Sequence, residues 1–414
     1  MKVLIINTSV SQGGAALSAL NIQETVADLG IDTWMLSARD AQCLERKLLS
    51  LNESESRLRV NALAYRLLGV DGFANRVLWK KILPRLKEFD LIHLHNVHGY
   101  YMPLDVLQVI LSRPCVWTLH DFWIVTGGPG FPPPPFENRR GVERFFPFVN
   151  FRYPAELIDR SRKRRRLLFA LIREHQPSLV AVSHAMAGRL KSMGLHQANM
   201  TVIQHGLYDG DPAPSATERE RTRQKKGWPM DRHVFLFTSA QVDNPVKGCD
   251  LFIRALNGLS TEIPWVAYVV GDKSEVARKK VEELGLDVRF LGKVSESEMG
   301  ELFCACDTYV TPTLDETFGR TVVEALAEGP KVVCTDLPVL REVSGGHAIY
   351  FPPGDVATLC KEMLTVLQGS MTEDRHNIAN EIRSRFSRMR MAQKYVSTYQ
   401  AEIEKSERSN GNSD

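Results

Sequence analysis

The sequence lacks any long uninterrupted apolar stretch, and the apolar run that follows Lys2 is broken at Asn7. A helix that spans a bilayer needs about 20 apolar residues, so neither a membrane span nor a signal peptide is predicted. The chain is therefore expected to be cytosolic or to lie on a membrane surface. An excess of one charge is also lacking. The net charge of +3 over 414 residues indicates no polyanionic partner.

Cysteine is sparse and has no metal-ligand spacing. The seven cysteines are scattered between Cys43 and Cys360, and none is spaced with nearby histidines like a metal ligand. Cys304 and Cys306 are too close together for a usual zinc half-site. Buried free thiols in a reducing cytoplasm are the simplest interpretation.

The length and the strand pattern indicate two domains, because 414 residues are too many for one ordinary core. Short apolar strands alternate with helical stretches in both halves, which is typical of doubly wound α/β domains with parallel sheets. The predicted strands are residues 3–6, 91–94, 115–119, 179–182 and 201–203 in the first half, and 234–238, 265–271, 288–292, 308–311 and 331–335 in the second.

We predict an N-terminal Rossmann-like domain over residues 1–206, a linker over 207–230 and a C-terminal Rossmann-like domain over 231–370. C-terminal helices over 371–406 are expected to pack back on the first domain, followed by a disordered tail over 407–414.

The most informative segment runs from Glu316 to Glu324 and reads Glu-Thr-Phe-Gly-Arg-Thr-Val-Val-Glu. We predict that a helix starts close to Phe318 and ends at Gly329, a favourable residue after a helix. Unpaired amides at Gly319 and the next residue, at the positive end of the helix dipole, would hold a diphosphate. If helical, the carboxylates are roughly 12 Å apart, which suits a sugar at one and a ribose diol at the other. The alternative is a solvated helix with ordinary surface acids.

This segment resembles the motif of two glutamates separated by seven residues in retaining family 4 glycosyltransferases. The resemblance implies a GT-B fold, with two Rossmann-like domains facing a central cleft. It implies that the N-terminal domain is on the acceptor side and that the C-terminal domain binds the nucleotide-sugar, and it places Glu316 at the donor sugar and Glu324 at its ribose. Residues 239–250 resemble the family segment that puts a lysine, here Lys247, on the donor diphosphate, where a cation stabilises the leaving group. The sequence departs from the family at Gln241, where an arginine commonly supplies a second phosphate cation.

The first domain carries further similarities. The turn from Gln12 through Gly13 and Gly14 matches the family's glycine-rich turn, although any strand-to-helix turn can use glycine. His120 fits a family histidine near the donor sugar, and its surroundings resemble a bacterial exopolysaccharide and colanic-acid-type subgroup. For His95, His98 and Asp121, functional and structural roles stay equally open, and structural roles are assigned to Ser183, His184, His205 and Gly206.

The predicted site residues are His120 and Glu316 as catalytic residues, Gly14, Lys247, Thr317, Phe318, Gly319 and Glu324 for donor binding, and Gly13, Gln241 and Arg320 as further donor-binding candidates.

Two segments lie outside this resemblance. Residues 127–153 are rich in proline and phenylalanine, and they stand where the subgroup often has a cysteine-bearing insertion. The basic run Arg160–Arg166 is either a solvated helix face or a contact with anionic lipid headgroups. Nucleic acid is not expected, because the run is single and no binding module accompanies it.

The resulting hypothesis is a cytoplasmic, retaining and metal-independent glycosyltransferase that moves a sugar from a nucleotide-sugar to a glycan or lipid-linked saccharide in bacterial surface polysaccharide synthesis. No cofactor is predicted, and in the family no Asp-x-Asp metal motif is needed. The alternatives are a nucleotide-sugar epimerase of the same fold and a non-catalytic donor-binding scaffold. An NAD enzyme is disfavoured because the first turn lacks Gly-x-Gly-x-x-Gly.

Overall fold

The computed structural model describes residues 1–10, 13–40, 42, 47–131, 159–369 and 375–411. In chain order the strands are β1 (Lys2–Asn7), β2 (Asp32–Ser37), β3 (Leu48–Ser50), β4 (Leu91–Leu94), β5 (Cys115–Leu119), β6 (Ser178–Ala181), β7 (Met200–Val202), β8 (His233–Ser239), β9 (Trp265–Gly271), β10 (Val288–Gly292), β11 (Thr308–Thr311), β12 (Lys331–Thr335) and β13 (Ile349–Phe351). The helices are α1 (Gly14–Asp28), α2 (Glu55–Leu68), α3 (Arg76–Ile82), α4 (Leu104–Leu111), α5 (Trp123–Thr126), α6 (Ser161–His175), α7 (His184–Leu190), α8 (Ala216–Lys225), α9 (Cys249–Asn257), α10 (Glu275–Leu284), α11 (Glu296–Ala305), α12 (Arg320–Glu328), α13 (Pro338–Ser344), α14 (Val356–Leu367), α15 (Arg375–Arg385) and α16 (Arg388–Gly411).

The described residues form two compact units. Unit 1 comprises residues 1–131, 159–207 and 386–411, and unit 2 comprises residues 208–369 and 375–385, with the gaps already given. Each unit contains one parallel sheet, with strand order β3-β2-β1-β4-β5-β6-β7 in unit 1 and β10-β9-β8-β11-β12-β13 in unit 2. The predicted fold class, a two-domain α/β chain, is confirmed.

Each sheet has a point where the strand order reverses. In unit 1 the chain builds outward in one direction from β1 and then in the other direction from β4, and in unit 2 the same reversal occurs between β8 and β11. Loops that leave the carboxyl ends of these neighbouring strands diverge, which leaves a crevice where ligands bind in this fold class. The sequence motifs after β1, β4, β8 and β11 therefore all lie at such crevices.

Three strands were missing from the prediction, and each has a weak sequence signal. β2 begins with the polar pair Asp32-Thr33, and β3 and β13 have only three residues each. The predicted disordered tail is wrong as far as Gly411, because α16 continues to that residue. Residues 132–153 of the segment rich in proline and phenylalanine, and Gln12 of the glycine-rich turn, lie outside the described residues.

Helix α16 is held to the sheet of unit 1 by buried polar groups as well as by apolar packing. The Tyr399 hydroxyl lies 2.8 Å from His93 Nδ1, and the Tyr395 hydroxyl lies 3.0 Å from Thr118 Oγ1. Thr118 Oγ1 also lies 2.8 Å from His93 Nε2. All four side chains are buried, so these hydrogen bonds satisfy polar groups that would otherwise destabilise the core.

The basic run at residues 160–166 is not a uniformly exposed face. Arg164 is 3% exposed, its guanidinium donates to the carbonyl oxygens of Gly69 and Gly127, and it lies 4.5 Å from the centre of the Tyr65 ring. Helix α6 turns this side chain inward while its neighbours stay exposed. Arg164 therefore ties the end of α2 to α6, and the predicted membrane role is wrong for this residue.

At the crevice of unit 2, the loop after β8 contacts the loop after β11 at Gly248. This residue has φ +77°, and a Cβ added to it would lie 2.2 Å from the carbonyl oxygen of Pro312. The amide of Leu314 donates to the Val246 carbonyl over 2.7 Å. The loop after β8 and the loop after β11 therefore approach closely at the backbone.

The close approach predicts that Gly248→Ala destabilises the protein more than Gly285→Ala does. Gly285 is a matched control because it also has a positive φ, +64°, but faces open space. We expect about 1–2 kcal/mol of loss from backbone strain at either glycine, and about 1–3 kcal/mol more at Gly248 from overpacking. Thermal unfolding measures both, and equal losses would contradict the close approach.

The buried position of His93 predicts a loss of stability in mild acid. The pKa of His93 is lowered from 6.5 to about 3, mainly by burial and to a smaller extent by the nearby His120. Between these two values the unfolded chain binds a proton that the folded chain does not. The free energy of unfolding should therefore fall by about 1.4 kcal/mol per pH unit below pH 6.5, and this contribution is absent above that pH.

The measurement is the melting temperature at pH 7.5 and at pH 5 for the wild type and two variants. His93→Gln should narrow the difference between the two pH values, because it removes the buried titrating ring. His196→Gln, at an exposed histidine of unit 1, serves as the control and should keep the wild-type difference. If the melting temperature of His93→Gln differs between the two pH values as much as that of the wild type, the prediction is refuted.

Candidate active site

The crevice of unit 2 brings Lys247 and Glu316 into contact. The Lys247 ammonium lies 2.5 Å from Glu316 Oε1, and the two side chains are 30% and 19% exposed. Lys247 ends a short 3-10 turn that begins at Pro245, and the Asn244 side chain caps this turn by accepting from the Val246 amide over 3.1 Å. A cation and a carboxylate that are distant in sequence thus meet at the carboxyl ends of β8 and β11.

Helix α12 begins at Arg320 rather than near Phe318, which corrects the prediction. Gly319 precedes it with φ +84°, and a Cβ there would lie 2.5 Å from Leu340 Cδ2. Because the chain is not helical between Glu316 and Gly319, the helical spacing assumed for the two glutamates does not apply. Thr317 and Phe318 are buried and support this turn, while the amides at its end have no intrahelical acceptor.

The second glutamate of the motif is paired within its own helix. Arg320 Nε lies 2.5 Å from Glu324 Oε1, and the Arg320 guanidinium also donates to Glu296. Burial opposes the charge on Arg320, but the two glutamates together raise the pKa of its guanidinium. Burial raises the pKa of Glu324 despite its partner. Arg320 is therefore directed toward carboxylates, which disfavours it as the replacement phosphate cation.

Gln241 contributes its backbone to the loop after β8. Its carbonyl accepts from Ser239 Oγ over 2.6 Å and from the Asn244 amide over 3.1 Å. Its side chain is exposed. The position where the family commonly has arginine thus carries an uncharged side chain at the surface of the loop.

In unit 1 the glycine-rich turn follows β1. Gly13 precedes helix α1 with φ +90°, and Gly14 is the first residue of that helix. A Cβ on either glycine would meet nothing within 4 Å. Neither glycine is therefore needed to avoid a clash within the chain, and open space lies beside the turn.

Two histidines from neighbouring strands meet at the same edge of this sheet. His95 follows β4 and His120 follows β5, and His95 Nδ1 lies 2.8 Å from His120 Nε2. The rings of His120 and His205 are also stacked, with centroids 5.5 Å apart. Burial lowers the pKa of His120 to about 4 and that of His95 well below its usual value. Both rings are therefore neutral at pH 7, and both line the same small, open recess.

The same recess contains an ion pair. His98 Nε2 lies 2.6 Å from Asp121 Oδ2, and the His98 ring stacks on Trp123. Burial disfavours the charge on His98, but Asp121 raises the pKa of His98 overall. Burial likewise opposes the charge on Asp121, and His98 lowers the pKa of Asp121. Asp121 also accepts from the Trp123 amide over 2.9 Å, which fixes the orientation of the pair.

The groups that support these histidines were not predicted from the sequence. His93 lies within β4 and reads as an ordinary strand residue, while Tyr395 and Tyr399 come from α16, about 300 residues along the chain. The regular apolar spacing of α16 marks it as a packed helix, but nothing local indicates that its hydroxyls reach His93 and Thr118.

Neither a metal cluster nor a membrane-spanning helix occurs in the part of the chain that the structure describes. No group of three or more histidine, cysteine, aspartate or glutamate side chains there could hold a metal ion. None of its helices combines the length and the apolar character needed to cross a membrane.

Comparison with known proteins gives matches to both halves of the chain. Residues 12–210 match the family model described as Glycosyltransferase Family 4, and residues 218–385 match the model described as Glycosyl transferases group 1. The phosphatidyl-myo-inositol mannosyltransferase of Mycobacterium tuberculosis is 31% identical over 160 residues, which is 36% of this chain and 42% of the relative. The chain thus covers about two fifths of the length of that relative.

Solved structures match over almost the whole chain. The Anabaena protein HepE, in complex with UDP and glucose, has a TM-score of 0.71 at 21% identity and covers 97% of this chain and 100% of its own. Sucrose-phosphate synthase from Thermosynechococcus elongatus has a TM-score of 0.73 at 15% identity, with coverages of 97% and 98%. At these identities the likeness shows the GT-B fold. With a family model matching each half, the chain belongs to the group 1, family 4 glycosyltransferases.

Proposed function

We propose that this protein is a retaining, metal-independent glycosyltransferase that moves a sugar from a nucleotide-sugar donor to a glycan or lipid-linked saccharide. The observation that carries the proposal is the Lys247–Glu316 contact at the strand-order reversal of unit 2. A cation for a phosphate and a carboxylate for sugar hydroxyls stand together there, beside the amino end of α12.

Each charged group has a distinct proposed role. Lys247 and the amides after Gly319 stabilise the diphosphate as it leaves, and Glu316 orients the donor sugar. Glu324 binds the ribose diol. In unit 1, His120 is assigned to the donor sugar, as in the family, and the turn at Gly13–Gly14 approaches the donor.

Retention of configuration implies that the acceptor hydroxyl attacks from the face that the nucleotide leaves. The bond between the anomeric carbon and the phosphate oxygen breaks, the acceptor oxygen forms the new bond, and the departing phosphate accepts the hydroxyl proton. Lys247 would lower the energy of the negative charge that develops on that phosphate.

We also propose which donors to test and in which pathway the reaction takes place. HepE is described with UDP-glucose, so UDP-sugars are the first donors to test. GDP- and ADP-sugars are to be screened beside them. We place the reaction in bacterial surface polysaccharide synthesis, of the exopolysaccharide or colanic-acid type, at the cytoplasmic face of the membrane.

One alternative keeps a specific observation in its favour. Gln241 is uncharged and Arg320 pairs with Glu324 and Glu296, so Lys247 is the positively charged side chain that the proposed phosphate site retains. A donor-binding scaffold without activity would fit such a pocket. Donor binding without any transfer in the presence of the membrane fraction would favour the scaffold, and donor consumption without an acceptor would favour the epimerase.

We also propose that unit 1 contacts an anionic membrane. Between Ser56 and Lys87 the chain has eight basic residues and one acidic residue, the buried Asp71. Apolar side chains on α2, on α3 and between them are about half exposed, and we call these the apolar face: Val60, Leu63, Leu67, Leu68, Phe73 and Val77. Helix α6 adds exposed basic residues at Arg162, Lys163, Arg165 and Arg166. Exposed apolar and basic groups together favour a negative lipid surface.

The donor roles predict different defects for Lys247→Ala and Glu316→Gln. Lys247→Ala should weaken binding of a nucleoside diphosphate about ten- to a hundredfold, because a charge-assisted hydrogen bond is lost. Glu316→Gln should keep that affinity but lose most of the sugar transfer. The measurements are calorimetric titration with UDP and GDP, and a transfer assay with the donor identified by thermal-shift screening.

Lys279→Ala is the control for lost charge, because Lys279 is an exposed lysine of α10 in the same unit. It should match the wild type in both assays. Equal nucleotide affinity in Lys247→Ala and Lys279→Ala would remove Lys247 from the diphosphate site. Loss of transfer on adding a chelator, restored by a divalent cation, would refute metal independence.

The membrane proposal predicts that flotation with vesicles containing phosphatidylglycerol depends on charge and on the apolar face. Replacing Arg162 and Arg166 with serine should weaken binding roughly 30-fold, at about 1 kcal/mol for each charge near an anionic surface. Leu63→Asp should also reduce flotation, whereas Val109→Asp, at an exposed apolar residue of α4, should not. Flotation that is unchanged both by the two arginine replacements and by Leu63→Asp would refute the proposal.

A further inference from the structure

The hydrogen bond between His95 and His120 has a direction that the surrounding groups determine. Both rings are buried or nearly so, and both are neutral at pH 7 because burial lowers their pKa values. Two neutral imidazoles joined at 2.8 Å share one proton in that bond. One ring must donate and the other must accept.

The outer nitrogen of His95 decides between the two arrangements. His95 Nε2 is buried and has no hydrogen-bond partner among the described residues. A proton on this nitrogen would leave a buried N–H group unsatisfied, and such orphan donors are rarer in proteins than under-used acceptors. The arrangement of lower cost puts the proton of His95 on Nδ1, from which it donates to His120 Nε2. The proton of neutral His120 then stands on Nδ1.

Two further contacts fix His95. Its backbone carbonyl accepts a hydrogen bond from Trp117 Nε1 over 3.0 Å, and the centroid of its ring lies 4.3 Å from the centroid of the His93 ring. His93 is in turn fixed by Tyr399 and Thr118 through both of its nitrogens. A continuous set of buried contacts thus runs from α16 through β4 to the nitrogen that faces His120.

We propose that His95 is a positioning residue that holds His120 in the tautomer with its proton on Nδ1, so that His120 offers a hydrogen-bond donor to the sugar. The proposal rests on the assignment of His120 to the donor sugar. It adds that His120 acts toward the sugar as a neutral donor to a hydroxyl oxygen and not as a base. The motif around His120 implies neither the positioning role of His95 nor the tautomer of His120.

The direct test is the tautomer itself, read from the nitrogen chemical shifts of the wild-type protein labelled with ¹⁵N-histidine. The His120 signals are assigned by their loss in His120→Gln. We expect a protonated, pyrrole-like Nδ1 and an unprotonated, pyridine-like Nε2 at His120, at neutral pH. A protonated Nε2 at His120 would overturn the proposal, whatever the activity of any variant.

The functional test compares two replacements of His95. Asparagine keeps an N–H donor near the position of Nδ1, whereas leucine fills the space without one. His95→Leu should lower kcat about tenfold, the equivalent of one hydrogen bond, with little change in affinity for free UDP or GDP. His95→Asn should recover most of that loss and keep the His120 tautomer.

Two further outcomes distinguish the proposed role of His95 from the proposed role of His120. Equal kcat values in His95→Asn and His95→Leu, with both variants folded by melting temperature, would refute the positioning role. Full transfer activity in His120→Ala would instead refute the proposed function of His120, and the tautomer measurement would still decide which nitrogen carries the proton. If His95→Leu fails to fold, the wild-type spectrum decides the proposal by itself.

Discussion

The constraint on which both candidate sites depend is that every strand within a sheet runs in the same direction. All carboxyl ends then lie at one edge, and the reversal of strand order separates two neighbouring loops there. In unit 2 those loops carry Lys247 and Glu316, and the absence of a side chain at Gly248 lets them approach. In unit 1 neighbouring strands deliver His95 and His120 in the same way. The parallel arrangement of the strands thereby brings together residues that are far apart in sequence.

The two sites differ in how their polar groups are stabilised. The site in unit 2 consists of ion pairs at partly exposed loops, which solvent can compensate when they separate. Beside the His98–Asp121 ion pair, the site in unit 1 contains histidine rings that burial keeps neutral, and each of these rings contacts a neighbouring ring. Helix α16 belongs to this second arrangement, because Tyr399 satisfies a nitrogen of His93 that would otherwise be buried alone. Helix α16 therefore supports the buried histidines of the amino-terminal sheet.

Much of this organisation could be predicted from the sequence, because long apolar strands and glycine turns are local signals. The ten predicted strands all exist, and Lys247 and Glu316 follow two of them, β8 and β11, but their contact was not predicted. The contacts of α16 could not be predicted, since they join residues about 300 positions apart. The inward turn of Arg164 was missed because a run of like charges hides which member faces the core. The start of α12 was missed because the left-handed Gly319 delays it.

The exposure of the ion pairs decides which cation can serve a diphosphate. Lys247 is 30% exposed and the Glu316 side chain that it contacts is 19% exposed, so exchanging this exposed ion pair for a phosphate contact costs about 1 kcal/mol or less. Arg320 is 16% exposed and holds two glutamates, and removing it would leave the more buried Glu324 without a counter-charge. The difference favours Lys247 as the exchangeable cation and gives Arg320 the task of keeping Glu324 in place. Gln241 carries no charge, and Arg320 pairs with Glu324 and Glu296. Our proposal therefore assigns the charge that develops on the phosphate to Lys247 and to the amides at the start of α12.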